Sequence, residues 1–127
     1  MGNLIKRLSV AFAAGVVGAI ANSLAVQLGG MLKPSAGVPA FTPGWIYQRL
    51  VWGGIWGFLL LLPILRGRPV LQGLVIGLAP AVARLTVFAP AGAPTSVTTV
   101  VQVFVFNAIW GVAAALWLRA ALGRGGR

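Results

Sequence analysis

Aspartate, glutamate, histidine and cysteine are all missing from this 127-residue sequence. General acid–base catalysis, nucleophile activation and metal coordination draw mainly on those four residue types. Tyr47, Lys6, Lys33 and scattered serines and threonines remain, and none has a neighbouring base to activate it. The sequence therefore reads as that of a non-enzyme, with no catalytic residue, no cofactor site and no metal ligand. The lack of cysteine also excludes disulfides and thiol redox chemistry, so the compartment is not fixed by that route.

Negative charge is absent too: ten lysines and arginines stand alone, for a net charge of +10. What the chain has in abundance is apolar surface. Hydrophobic residues make up 59% of it, against about 45 to 50% in globular domains, and the mean hydropathy is +0.97. Such a chain belongs in a bilayer, and its length suits a single membrane domain covering residues 1–127. The basic residues stand mostly at the ends of apolar runs, where they act as topology signals and contacts for anionic lipid headgroups. A nucleic-acid partner is excluded on the same ground, since it would require a folded basic face with solvent-exposed aromatics.

Four apolar runs follow in order, with helices expected near residues 4–28, 45–65, 70–89 and 99–119. The first run, 8–28, is free of charge over 21 residues, enough to cross a hydrocarbon core of about 30 Å. It exceeds the apolar stretch of a signal peptide and is read as a retained helix. Residues 29–44 and 90–99 are rich in Gly and Pro and read as loops. The second run opens with Trp45 and Tyr47, rings suited to the headgroup boundary. In the third, Pro80 removes a backbone donor and is expected to kink the helix. The β-branched stretch 97–105 would suit a strand in water, but a lone strand in lipid leaves its backbone groups unpaired, so helix is expected. Gly15, Gly18, Gly53, Gly57, Gly73, Gly77 and Gly111 fall at spacings that let neighbouring helices approach closely.

The second and fourth runs share a skeleton. At an offset of 54, Gln48 meets Gln102, Val51 meets Val105, Trp52 meets Phe106, and Ile-Trp-Gly recurs at 55–57 and 109–111. The first and third runs match more loosely, through Val17-Gly18 and Ile76-Gly77. The expected fold is thus an all-α integral membrane protein of four transmembrane helices, built as two parallel-repeat αα-hairpins, residues 8–65 and 70–118. The repeat differs at polar positions: Gly53 becomes Asn107, Arg49 becomes Val103, and Asn22 falls opposite Ala81 in this alignment. Asn22, Gln48, Gln102 and Asn107 are the candidate interhelical polar contacts, with the two glutamines placed to meet across the pseudo-axis.

Seven basic residues (Lys6, Arg7, Arg66, Arg68, Arg119, Arg124 and Arg127) fall on one side of this arrangement, and only Lys33 in the two opposite loops. The positive-inside rule then places both termini in the cytoplasm of a bacterial-type inner membrane. Arg49 and Arg84 enter their runs from the outer boundary by about 6 to 8 Å. Intramembrane charges mark functional sites by default, and no carboxylate in the chain can pair with these two. They are the candidate contacts for a lipid headgroup, a partner subunit or an anion. The expected function is a non-catalytic accessory or assembly subunit packed against a larger membrane complex. The alternative is a small homo-oligomeric channel or transporter for an anion or neutral solute.

Overall fold

Every element is helical in the computed structural model, which describes residues 2–36, 38–65, 67–87 and 96–123. Four α-helices run in order: α1 (Gly2–Leu32), α2 (Pro43–Gly57), α3 (Pro69–Leu85) and α4 (Val97–Gly123). Their starts follow from local chemistry. Thr42 caps α2, its hydroxyl accepting from the Trp45 amide at 3.3 Å, with Pro43 in the first turn. Ser96 does the same for α4, accepting from the Thr99 amide at 3.1 Å. Proline opens α3, where its missing N–H costs nothing. The β-branched opening of α4 is helical, as expected.

The second helix is shorter than the expected 45–65. It stops at Gly57, tightens into a 3-10 turn over Phe58–Leu61, and opens at Leu62, whose ψ of 138° is extended. Pro63 is the cause: it has no N–H to donate and its ring forces the preceding residue out of the helical region. Leu65 then takes a left-handed φ of 53° on the way into α3. The carbonyls freed by this break are taken up by buried Gln72 of α3, whose side-chain amide donates to Ile64 at 3.1 Å and Leu60 at 3.4 Å. The third helix passes through Pro80 and ends at Leu85 rather than near 89, with the Thr86 hydroxyl donating to the Val82 carbonyl at 2.8 Å. The proline-rich part of the expected second loop, Arg66 and the basic tail from Arg124 lie outside the described residues.

The helices pack in the order α2, α1, α4, α3, and α2 makes no comparable contact with α3. Helices α1 and α4 are long and apolar enough to cross a membrane, and α3 is a shorter apolar helix. Small residues set the approach. A side chain at Gly15 would run into the Gly53 backbone, and one at Gly73 into the backbone of Gly111 and Val112. The core between them is correspondingly fine-grained, built from Ala14, Ala19, Ala114 and Ala115 around buried Trp110. The Trp110 indole N–H donates to the Gly15 carbonyl at 3.0 Å, tying α4 to α1.

The two hairpins use matching contacts. Gly57 lies against Ala11 and Gly15, as Gly111 lies against Gly73 and Gly77; Gly15 faces the Gly53 carbonyl, as Gly77 faces that of Asn107. These contacts relate α2 to α4 by the offset of 54 read from the sequence. They relate α1 to α3 by 62, not by the 59 that would pair Gly18 with Gly77. Gly18 turns instead toward α4, against Trp110 and Ala114. In the contact register the counterpart of Asn22 is Arg84.

Candidate functional site

Because α2 and α3 stand apart, the four helices enclose a cavity of about 830 Å³ between them. Its floor is made by α1 and α4, through Ala19, Asn22 and Val26 on one side and Phe106, Asn107 and Trp110 on the other. Gln48, Arg49, Trp52 and Trp56 of α2 form one wall, and Pro80 and Arg84 of α3 the other. Lys33, Val38, Pro39 and Thr99 stand at the rim.

Arg49 is held by three side chains. Gly53 lies four residues further along the same face of α2, and its close contact with Gly15 draws α2 onto α1. That approach brings the half-buried guanidinium over the end of the α1 small-residue face. Its Nε donates to Ser23 Oγ at 3.0 Å, and its Nη2 donates to the side-chain oxygen of Asn22. The Trp45 ring lies 4.5 Å from the guanidinium carbon, a cation–π contact. Asn22 passes the connection on, its Nδ2 donating to the Phe106 carbonyl at 2.6 Å. Arg49 on α2, Asn22 on α1 and Phe106 on α4 thus form one relay across three helices. Asn22 and Ser23 are both buried, at 7% and 1% exposure, so their polar atoms depend on these partners.

All six polar residues singled out in the sequence line this one cavity: Asn22, Gln48, Arg49, Arg84, Gln102 and Asn107. Not all meet as expected. Among the described residues no hydrogen bond joins Gln48 to Gln102, although both face the same space. Asn107 is satisfied within its own helix, its Nδ2 donating to the Val103 carbonyl at 2.8 Å. Of the close-packing glycines only Gly53 lines the cavity; the others lie in the helix contacts around it.

Several site residues lie outside the sequence reading. Ser23 is one: it holds Arg49 with a neutral oxygen, beside the Asn22 that the sequence does single out. Lys33 reads as a loop charge, yet α1 continues to Leu32 and carries Lys33 to the cavity rim. Trp52 and Trp56 read as spacing marks of the repeat, and here they form the deeper wall. Only Ser23, adjacent to a polar residue on a small-residue face, had a signal in the sequence.

The site's chemistry is that of a donor-rich, positively charged recess. Arg49, Arg84 and Lys33 line it in a chain without aspartate or glutamate, and Asn22, Ser23 and Trp45 orient Arg49 without neutralising it. A recess walled by helices concentrates that field. Set against models of known protein families, curated proteins and solved structures, the chain matches none.

Proposed function

We propose that this chain is a non-enzymatic four-span membrane protein that binds an anion in the cavity between α2 and α3, serving as a small carrier or channel. One observation supports it above all: Arg49 is fixed by Asn22 and Ser23 on a cavity wall shared with Arg84 and Lys33, in a chain with no negative side chain. Two of the five donors of a guanidinium are used by Asn22 and Ser23, and the others remain for a ligand.

Four spans fit the element lengths. The 15 residues of α2 and 4 of its 3-10 extension reach about 30 Å, and the 17 of α3 about 25 Å, close to the hydrocarbon thickness. Apolar side chains such as Leu24, Ile55, Leu78 and Val105 lie exposed on every helix, which suits lipid contact and would be costly in water. The basic ends favour a topology with both termini in the cytoplasm and the Lys33 rim facing outward.

A second occupant fits the same charges: a carboxylate on a partner subunit, which would make the chain an accessory component of a larger complex. The gap between α2 and α3 is where such a helix would dock. Purification of the chain alone and reconstitution in liposomes separates the two. Saturable anion uptake that is lost in Arg49→Ala supports the carrier. Absence of uptake, together with stoichiometric recovery of a foreign subunit that Arg49→Ala releases, would establish the accessory role instead.

A further inference from the structure

The cavity's size and the grading of its walls say what kind of anion it takes. A volume of about 830 Å³ is that of a site for a drug-sized ligand, many times what an inorganic anion fills. Both walls change character in the same direction. Along α2 the lining passes inward from Arg49 to Trp52 and Trp56, at spacings that keep all three on one face; along α3 it passes inward from Arg84 to Pro80. The mouth is cationic and the depth mainly aromatic and apolar, with Asn107 there donating within its own helix. The helices carrying these walls do not pack on each other, and Trp52 remains 45% exposed beside the gap. The recess therefore opens sideways, toward the surface that lipid chains would cover.

We infer that the ligand is a membrane lipid with a phosphate headgroup, its phosphate held by Arg49 and Arg84 near the mouth and its apolar part passing sideways between α2 and α3 along Trp52 and Trp56. This rests on the reading of the cavity as an anion site. Charge complementarity selects the occupant: the phosphate supplies the negative charge the chain lacks, and the acyl part fills the apolar depth that a free anion would leave wet. Each guanidinium is expected to favour an anionic over a zwitterionic headgroup about fivefold.

The test uses the whole chain in nanodiscs of phosphatidylcholine, titrated with phosphatidylglycerol or phosphatidylcholine carrying brominated acyl chains that quench tryptophan on contact. Brominated phosphatidylglycerol is expected to quench more than brominated phosphatidylcholine at equal content. That excess should shrink when Trp52→Phe and Trp56→Phe are combined, because the bromines then lose the two indoles that wall the gap and only Trp110 on the cavity floor and Trp45 beside Arg49 remain near them. Its apparent affinity should fall about fivefold in Arg49→Gln and again in Arg84→Gln, and recover in Arg49→Lys, which keeps the charge. Helical circular dichroism checks that each variant is folded; should Arg49→Gln fail to fold, Arg84→Gln and Arg49→Lys still decide. Equal quenching by the two lipids, or an excess indifferent to both arginines, overturns the lipid assignment. If there is no excess but inorganic phosphate perturbs Trp52 in an Arg49-dependent way, the lipid assignment falls and the anion site stands. If neither probe acts through Arg49, both fall.

Discussion

The guanidinium of Arg49 donates to the side-chain oxygen of Asn22, across the contact between α2 and α1, while the other end of that same amide holds α4 through the Phe106 carbonyl. A half-buried charge is thereby fixed by a neutral partner, which leaves the positive charge available. Asn22→Asp should convert this arrangement into an internal ion pair. The variant gains an ion pair to Arg49 but loses the amide N–H that holds the Phe106 carbonyl, so it is expected to fold with a lowered melting temperature and to lose anion binding. Retention of anion binding by a folded Asn22→Asp protein would show that the charge of Arg49 does not make the site.

Removing the support without adding charge should act differently. Ser23→Ala and Asn22→Ala each delete an acceptor for Arg49 and are expected to cost about 1.5 to 3 kcal/mol, the range for hydrogen bonds to charged groups. Denaturation in mixed micelles measures this. A loss below a few tenths of a kcal/mol in both would mean that the relay is incidental to the fold.

The glycine contacts predict a steep positional contrast. Gly73→Leu and Gly111→Leu place side chains against opposing backbone and should destabilise by about 1 to 3 kcal/mol or prevent folding. Gly44→Ala and Gly67→Ala meet nothing within 4 Å and should leave the melting temperature almost unchanged. Comparable losses at all four positions would contradict the close approach of α3 and α4.

Gln72 should be the latch of the segment after α2. Gln72→Leu leaves the Leu60 and Ile64 carbonyls without their donor, at an expected cost of about 1 to 3 kcal/mol. Hydrogen exchange should accelerate at residues 60–65 while α1 and α4 stay protected. Uniform acceleration over the whole chain would place Gln72 in the global core instead.

The absence of native cysteine makes the topology directly accessible. Single cysteines at Gly2, Gly67 and Ser35 need no background mutations; the first two are expected to react only from the cytoplasmic side and the third only from outside. Labelling of Gly67→Cys and Ser35→Cys from the same side would rule out α2 as a span.

Much of the helical plan was legible because apolar run length and capping residues act locally. Thr42-Pro43 and Pro69 mark helix starts by chemistry confined to one turn. Pro63 lies inside the run expected to be helical over 45–65, and the break it makes reaches back to Gly57 through a 3-10 turn whose carbonyls are met by Gln72 from another helix. The offset of 54 between α2 and α4 survived in the identities around Trp56 and Trp110, whereas the α1–α3 register did not. Glycine and alanine are interchangeable at such contacts, so Ala11 can stand where Gly73 does and identity alone misaligns them. The six polar residues were each visible, but their convergence on one cavity depends on α2 and α3 standing apart, a tertiary property. The Arg49–Asn22 pair, 27 positions apart, has no sequence signature at all.

The most direct test of the anion site is thermal melting of the purified chain in uncharged detergent, with inorganic phosphate or phosphatidylglycerol added, for the wild type and Arg49→Gln side by side. A ligand that binds only the folded protein raises its stability in proportion to the logarithm of ligand concentration, and the comparison between proteins removes general salt effects. The wild type should gain stability with phosphatidylglycerol well beyond Arg49→Gln, and with inorganic phosphate to a smaller degree. Equal gains in the two proteins for both ligands would contradict an anion site at Arg49.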